Sequence, residues 1–494
     1  MDQMDQKDIF KLLPSGGRVY LIGIKGTGMC ALAELLVRAG FAVSGSDCAD
    51  VFYTDSILRE LNIPYHESFD SSHIDSSIDL VIHSAAYSSS NAEVAAAERL
   101  GLPLLKYTDA LGAWSANFDS SGIAGVHGKT TTTAMAGMLI RGAGLPAQIL
   151  AGSAVGGFGG RSTLSLGNKY FVAETCEYRR HFLSFHPARI VLTAVESDHQ
   201  DYFPDYPSIR DAFVEYCRKL PADGELIYCA DDPGACEVAA IIKAENRGIH
   251  FIPYGFTAEG DFKIEKFEAA DERLKIKIAS FPGELILRVP GRHSALNAAA
   301  ALALTSSLVH AEFGGDGWIE DRREAVRKAL EIFTGSRRRS EIIGEAGGIL
   351  FMDDYGHHPT AIKTTLEGLK EFYPRRRLVL SFMSHTYTRT AALLDEFAAS
   401  FTGMDMLLLH KIYPSARETY SGSVTGETLF QKTKEALQKN GSKTEIFYVD
   451  EPLDAAEQMK KILAPGDLFI TMGAGDNWKL GRSLYTDFSQ GAAV

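Results

Sequence analysis

The sequence predicts an α/β protein of about three domains, in which helices cover largely parallel sheets. Its length of 494 residues is well above that of a typical single domain. Short apolar runs alternate with helical patterns along most of the chain, which is typical of successive β-α units. Two glycine-rich turns each follow an apolar run and open a helical pattern, as expected where a parallel strand passes into a helix.

Apolar runs of strand length give the order of the predicted elements. The strands are predicted at residues 19–22, 42–43, 80–82, 122–124, 170–173, 190–193, 226–229, 349–352, 378–380, 406–409 and 467–470. Residues 262–289 alternate apolar and polar side chains, which indicates an antiparallel meander, and a helix is predicted at 295–308. The resulting domains are 1–116, 117–337 and 338–494, with a run of three arginines at the second boundary.

The charge and cysteine content exclude several classes of protein. A formal net charge of -13 argues against a general nucleic-acid binder, because phosphate backbones require clustered Lys and Arg. The six cysteines form no C-x-x-C pair, which predicts a reduced compartment with neither a zinc site nor a disulfide framework. The most membrane-like stretch, 298–309, is too short to span a bilayer and predicts a buried helix. We therefore expect a cytoplasmic protein without membrane insertion.

One of the two turns has the composition of a phosphate-binding loop. Lys129 would meet the β- and γ-phosphates of ATP, and the Thr130 hydroxyl would bind Mg²⁺. The spacing departs from the strict motif because Ile123 stands where its first glycine is expected, so a chance turn before a helix is the alternative. The predicted ATP-binding residues here are Gly125, Val126, His127, Gly128, Lys129, Thr130 and Thr131.

Two side chains that follow predicted strands are candidate partners for Mg²⁺. Glu174 ends the strand at 170–173, and His199 lies beyond the strand at 190–193. Ligands of open α/β sheets bind at these strand ends, and a solvated strand end is the alternative for Glu174. For His199 the residue pattern by itself favours a structural histidine.

The other turn resembles a dinucleotide-binding turn. Gly23, Gly26 and Gly28 follow a predicted strand, although Lys25 stands at the second glycine of the usual pattern. Asp47 ends the next strand, where an acidic residue often meets a ribose. A packing turn is the alternative. A dehydrogenase would leave the phosphate loop unexplained, whereas an ATP-driven enzyme with a nucleotide-linked substrate explains both turns.

Further motifs follow in a fixed order along the chain. They are Asp198-His199, residues 290–297 ending in Asn297, Arg338-Arg339, residues 353–360 and residues 385–390. Together with the two turns and Glu174, they resemble the Mur ligase family of peptidoglycan synthesis over nearly the whole chain. The string Asp-Asp-Tyr-Gly-His-His-Pro-Thr at 353–360 is especially specific for the alanine-adding member.

The resemblance implies a fold and an activity. The fold is a Rossmann-like UDP-binding domain, a central P-loop ATPase domain with a mixed sheet, and a C-terminal Rossmann-like domain. The activity is the ATP- and Mg²⁺-dependent joining of L-alanine to the lactyl carboxylate of UDP-N-acetylmuramate through an acyl phosphate. Domain closure over ATP and the amino acid would protect that intermediate from water.

The resemblance also assigns roles to residues. Thr130, Glu174 and His199 would bind Mg²⁺. The adenine, the phosphates and the ribose of ATP would contact Asn297, Arg339 and Asp354, respectively. The amino-acid pocket would comprise Tyr355, His357, His385 and Arg389. The UDP-sugar site would comprise Gly23, Gly26, Gly28, Met29, Ser46, Asp47 and Ser84. The residues implied in catalysis are Lys129, Glu174, His199, His385 and Arg389.

Departures from the family pattern leave alternatives open. The usual Glu-Ala-Asp-Glu-Ser reads Glu-Thr-Cys-Glu-Tyr at 174–178, and Ala194 and Ser294 replace asparagines. A recycling ligase that attaches a tripeptide to UDP-N-acetylmuramate is the nearest alternative function, and a non-catalytic nucleotide-binding regulator is another. The base that deprotonates the amine, and the choice between monomer and homodimer, stay open.

Overall fold

The computed structural model describes residues 8–199, 202–270, 272–315, 317–414, 422 and 424–491. The chain divides into two compact units. The first unit comprises Met1–Glu196, Ile209–Glu259 and Ala300–Ala329, and the second comprises Ser197–Ser208, Gly260–Ala299 and Leu330–Val494.

The first unit starts with a five-stranded parallel sheet. Its elements are α1 (Ile9–Leu12), β1 (Arg18–Ile22), α2 (Thr27–Arg38), β2 (Ala42–Ser46), α3 (Thr54–Glu60), β3 (Tyr65–His66), β4 (Leu80–His83), α4 (Ala92–Leu100), β5 (Leu104–Lys106) and α5 (Tyr107–Ser115). The strand order is β3-β2-β1-β4-β5. The central strands β1 and β4 are almost entirely buried, because helices cover both faces of a parallel sheet.

A second sheet in the same unit carries the phosphate loop. Its elements are β6 (Asp119–Ala124), α6 (Lys129–Ala143), β7 (Ala147–Val155), β8 (Arg161–Ser165), β9 (Tyr170–Glu174), β10 (Arg189–Leu192), α7 (Tyr206–Cys217), β11 (Glu225–Cys229), α8 (Pro233–Ala244) and β12 (His250–Gly255). The order β12-β11-β10-β6-β9-β7-β8 is parallel except for the β7-β8 hairpin. The carboxyl ends of β6, β9 and β10 therefore lie at one edge.

A polar cluster joins the two sheets of the first unit. Glu34 of α2 is buried and accepts a hydrogen bond from Thr163 of β8 at 2.6 Å. Its other carboxylate oxygen lies 3.1 Å from Arg161 and 2.9 Å from Arg38. This cluster fixes α2 and the first sheet against the phosphate-loop sheet. The first glycine turn and the phosphate loop therefore belong to one compact unit.

The next strands form the antiparallel meander that the sequence predicts. They are β13 (Phe262–Ala270), β14 (Arg273–Ile278) and β15 (Leu285–Leu287), followed by α9 (Arg292–Phe313) and α10 (Glu320–Glu331). With 22 residues, α9 extends beyond the apolar run 298–309 and is long enough to span a membrane, which corrects the length argument from the sequence. Its most apolar window is 72% buried, as expected of a core helix.

The second unit ends in a six-stranded sheet. Its elements are β16 (Glu341–Ala346), β17 (Ile349–Asp354), α11 (Pro359–Phe372), β18 (Arg377–Phe382), α12 (Tyr387–Ala392), α13 (Leu394–Ser400), β19 (Met406–Leu409), α14 (Gly426–Lys439), β20 (Glu445–Tyr448), α15 (Ala456–Ile462), β21 (Asp467–Met472) and α16 (Trp478–Gly491). The order is β16-β17-β21-β18-β19-β20, and only the β16-β17 pair among these is antiparallel. Phe351, Leu408 and Phe469 lie in its core.

Candidate active site

The phosphate loop turns tightly between β6 and α6. Gly125 has φ +138°, and a Cβ atom there would lie 2.1 Å from Thr193 Oγ1, so only glycine fits. Gly128 has φ +79° and precedes the first residue of α6. Val126 N donates to Ala194 O at 2.9 Å, which fixes the loop to the chain after β10. The backbone N–H groups at the start of α6 are thereby available to an anion.

The other loop residues are anchored nearby. The His127 imidazole contacts the Glu196 carboxylate, and the His127 carbonyl accepts a hydrogen bond from Thr193 Oγ1. Thr131 lies in the first turn of α6, beside Lys129 and Thr130. The residues predicted to bind ATP from 125 to 131 therefore form one continuous loop and helix start.

Lys129 forms an ion pair with Glu177, for which no role is predicted from the sequence. Its Nζ lies 2.9 Å from Glu177 Oε2 and also donates to Gly125 O. The side chain of Glu177 is 2% exposed. Burial by itself would lower the pKa of Lys129, but the negative groups around the ammonium, Glu177 first among them, together raise that pKa, so the ammonium stays charged. The position of Glu177 three residues after Glu174 is the sequence signal that could have identified it.

Two oxygen donors meet at the start of α6. Thr130 Oγ1 donates to Glu174 Oε2 at 2.7 Å, and the same carboxylate oxygen accepts from Gly152 N at 2.9 Å. A Cβ atom on Gly152 would lie 2.3 Å from Glu174 Oε2, so this glycine permits the close approach. Hydroxyl and carboxylate oxygens are the donors that Mg²⁺ prefers, and this pair fits it. His199, the third predicted ligand, belongs to the second unit and has φ +55°.

The first glycine turn brings the backbone close to two tyrosines. Gly23 has φ +88°, and a Cβ atom there would lie 2.8 Å from the Tyr87 ring. A Cβ atom on Gly28 would lie 2.7 Å from Tyr107. Gly26 immediately precedes α2, so the positive end of the helix dipole faces this turn.

Ser46 and Asp47, predicted for the UDP-sugar site, are buried and bonded within the fold. Ser46 Oγ donates to the Glu93 carboxylate. Asp47 accepts from the backbone N–H groups of Lys25 at 2.7 Å and Cys48 at 2.8 Å. In the described structure, Asp47 therefore holds the glycine turn in place.

A cavity of about 310 Å³ extends from the glycine turn to Glu174, the hydrogen-bond partner of Thr130. Four of the predicted UDP-sugar residues line it, together with Glu174; these four are Gly26, Gly28, Met29 and Ser84. Gly23, Ser46 and Asp47 do not belong to its described lining. The lining also includes residues that are not among the predicted site residues, such as Thr27, Tyr107, Thr108, Cys176 and His181.

In the second unit, the four residues predicted for the amino-acid pocket lie together. The ring of His357 is 5.1 Å from that of Tyr355 and 6.4 Å from that of His385, measured between centroids. His357 Nδ1 lies 2.9 Å from Tyr355 O. Removal from solvent, and then the nearby charge of Arg389, hold the pKa of His357 well below its usual range. His357 is therefore a neutral polar group beside a fixed cation.

Asp198 fixes that cation. Its Oδ1 accepts from Arg389 Nη2 at 2.8 Å and from Nε at 3.1 Å, and also from His199 N at 2.6 Å. Both side chains are less than a tenth exposed. Burial by itself would raise the pKa of Asp198, but Arg389 holds it well below its usual range. Arg389 Nη1 is buried with no hydrogen-bond partner in the described structure, so the guanidinium retains donors for an anion.

The remaining predicted ATP contacts also lie in the second unit. The guanidinium carbon of Arg339 is 5.1 Å from the centroid of the Tyr355 ring. Asp354 accepts from Ser340 N and Gly356 N, both at 2.7 Å. Asn297 lies in the second turn of α9 and is 7% exposed.

Three family models match successive parts of the chain. They are the Mur ligase family catalytic domain at residues 18–119, the Mur ligase middle domain at 123–305, and the Mur ligase glutamate ligase domain at 338–475. Together they cover most of the 494 residues.

Complete proteins match over nearly their full length. A Treponema pallidum protein named UDP-N-acetylmuramate--L-alanine ligase is 50% identical over 96% of this chain and 98% of its own. A Borrelia garinii protein of the same name is 38% identical over 94% and 97%, respectively.

Solved structures have the same fold. UDP-N-acetylmuramate-alanine ligase from Thermotoga maritima superposes with a TM-score of 0.74 at 23% identity, covering 96% of this chain and 99% of its own. A murein peptide ligase from Psychrobacter arcticus gives a TM-score of 0.64 at the same identity and coverage. By the three family models and the full-length relatives, the chain belongs to the Mur ligase family.

Proposed function

We propose that this chain uses ATP to join L-alanine to the lactyl carboxylate of UDP-N-acetylmuramate, a step of peptidoglycan synthesis. The observation that carries this proposal is the cavity in the first unit. Its lining extends from the glycine turn to Glu174, whose carboxylate accepts a hydrogen bond from Thr130 of the phosphate loop. A UDP-linked acid bound at the turn would therefore bring its carboxylate towards the γ-phosphate of ATP. The full-length relatives named for this activity support the assignment.

The work is divided among three domains in this proposal. Residues 1–116 would bind the UDP moiety, 117–337 would bind ATP, and 338–494 would close on ATP and the amino acid. Asn297, Arg339 and Asp354 would contact the adenine, the phosphates and the ribose. The substrates are cytoplasmic metabolites in this scheme, which agrees with a reduced, cytoplasmic protein.

The first step is attack by the lactyl carboxylate on the γ-phosphorus, which gives an acyl phosphate and ADP. Because both reactants are anions, their repulsion has to be offset. Lys129 supplies one positive charge, and the N-terminus of α6 supplies backbone N–H donors and its dipole. Thr130 and Glu174, with His199, would hold Mg²⁺, which neutralises phosphate charge when bound.

The second step is attack by the amine of L-alanine on the acyl carbonyl, after which the tetrahedral intermediate expels phosphate. The Arg389 guanidinium is suited to the alanine carboxylate because Asp198 fixes its orientation while Nη1 stays available. His357 and Tyr355 form polar walls, and neutral His357 adds no second positive charge beside Arg389. Positioning of the amine against the acyl phosphate supplies much of the rate enhancement.

Phosphate release from ATP tests the proposal. The purified protein should release phosphate only when both UDP-N-acetylmuramate and L-alanine are present. Replacement of L-alanine by the tripeptide L-Ala-γ-D-Glu-meso-diaminopimelate separates this activity from that of a recycling ligase. Turnover that is independent of either substrate, or that prefers the tripeptide, would refute the assignment.

The Lys129 contact determines how the phosphate loop should be tested. Lys129→Ala would leave the buried Glu177 carboxylate without its cation, which destabilises the loop as well as removing a catalytic charge. Two variants should therefore be compared. One is the single variant Glu177→Gln, and the other is the double variant that combines Lys129→Met with Glu177→Gln. The double variant should fold and lose turnover, and persistent activity would refute the role of Lys129.

A further inference from the structure

His181 is a lining residue of the cavity that lies outside the motifs described above. It belongs to the 3₁₀ segment Tyr178–Ser184, which connects β9 to β10. Inside this segment, Arg179 and Arg180 lie in the left-handed region, at φ +51° and +59°. Such backbone strain persists only where the surrounding structure holds it, so neighbouring residues fix the path of the backbone through this segment.

The charges around the cavity make His181 distinctive. Besides His181, the described lining contains hydroxyl groups, the Cys176 thiol, apolar side chains and the Glu174 carboxylate, but neither Lys nor Arg. Tyr107 stays neutral, because burial and then the Glu174 charge raise its pKa. Among the lining residues that the structure describes, His181 therefore has the single side chain that gains a positive charge on protonation.

An acidic sugar nucleotide brings two kinds of anion into this cavity. The pyrophosphate has partners of its own, because the backbone N–H groups at the start of α2 face the glycine turn. Apart from His181, the described lining offers the carboxylate on the sugar no side chain that can carry positive charge, and the like charge of Glu174 repels it.

We infer that His181 binds the lactyl carboxylate of UDP-N-acetylmuramate and selects the acidic sugar nucleotide over its neutral counterpart. The inference rests on the proposed function, of which it specifies one substrate contact. The imidazole would donate a hydrogen bond to the carboxylate, and its positive charge when protonated would offset the charge of Glu174. His181 thus acts in recognition and holds the nucleophile in the cavity before ATP reacts.

Binding of two sugar nucleotides without ATP tests this role. Isothermal titration calorimetry would compare UDP-N-acetylmuramate with UDP-N-acetylglucosamine, which lacks the lactyl group. His181→Gln should weaken binding of the acidic ligand about tenfold, as expected for loss of a charge-assisted hydrogen bond, and leave the neutral ligand unchanged. His181→Lys keeps a positive charge and should retain the preference for the acid. His186→Gln, at an exposed position of the same connection, is the matched control.

Each of the other outcomes would contradict the proposed contact between His181 and the lactyl carboxylate. Equal weakening for both ligands would indicate a pyrophosphate or structural role, and unchanged binding of the acid would exclude the contact. Loss of the preference in His181→Lys would also overturn the inference. The proposed function fails separately, because wild-type phosphate release would then not depend on UDP-N-acetylmuramate.

Discussion

Asp198 and Arg389 form a buried ion pair although 191 residues separate them in the chain. The pair links two segments of the second unit, which are the loop that contains His199 and the first turn of α12. Because Asp198 holds two N–H groups of the guanidinium, the third group, Nη1, is left with a defined direction. A carboxylate that binds Arg389 therefore meets a preorganised donor.

Loss of the Asp198 charge should impair use of the amino acid specifically. Asp198→Asn removes the anion that orients Arg389, so we expect the KM for L-alanine to rise about tenfold or more, with a smaller change for ATP. Steady-state kinetics with each substrate varied in turn would measure this. Asp395→Asn, at an aspartate that is 84% exposed, is the control. A fall in kcat with an unchanged KM for L-alanine would contradict a positioning role.

Removal of the Glu177 charge should increase the stabilisation of the protein by ATP. Glu177→Gln leaves a buried ammonium unpaired, which should lower the free energy of unfolding by about 3 kcal/mol. The phosphates of ATP then supply the missing negative charge. The rise in Tm on adding ATP should therefore be larger in the variant than in the wild type, by differential scanning fluorimetry. A smaller rise would mean that Glu177 helps to bind the nucleotide directly.

The elements of the fold that could be predicted from the sequence are those formed by one continuous run of apolar residues. The buried strands β1, β4, β9 and β17 coincide with continuous apolar runs, since both faces of these strands are covered. The β7-β8 hairpin escaped prediction because its strands contain Gly152, Ser153 and several Ser and Thr residues. That hairpin nevertheless carries both the Gly152 contact to Glu174 and the Arg161 contact to Glu34.

The parts of the candidate site that can be predicted from the sequence are those whose interacting residues follow one another in a short motif. The phosphate loop is such a case, because strand, glycines, lysine and helix follow one another in the chain. The contacts of Lys129 with Glu177 and of Arg389 with Asp198 join segments that are distant in the chain, so no short motif contains both partners of either contact. His181 likewise becomes notable only once the cavity shows the charges around it.

Gly152 should be required for activity more than for folding. A Cβ atom there would lie 2.3 Å from Glu174 Oε2, and displacement of that carboxylate separates it from Thr130. Gly152→Ala should therefore reduce kcat about a hundredfold, as expected for misplacement of a catalytic group by about 1 Å. Gly315→Ala, where a Cβ atom would meet no atom within 4 Å, should be neutral. Near-normal kcat for Gly152→Ala would show that Glu174 tolerates displacement.

His410 should make the protein less stable in mild acid. The ring is 1% exposed, with Nε2 2.9 Å from Ser381 Oγ and Nδ1 2.7 Å from Val449 O, and burial lowers its pKa to about 4. In an unfolded chain the pKa of histidine is about 6.5, so between these values the unfolded state binds a proton that the folded state does not. The free energy of unfolding should then fall by about 1.4 kcal/mol per pH unit as the pH drops through this window.

His410→Gln removes this titration and should flatten the dependence of stability on pH by that slope. Urea unfolding followed by circular dichroism at several pH values between 7 and 4 would measure it, with His250→Gln as the exposed control. Because the variant also loses packing, the absolute stability at pH 7 does not decide the question, and the difference in slope does. Parallel curves for wild type and His410→Gln would mean that the imidazole becomes protonated without unfolding.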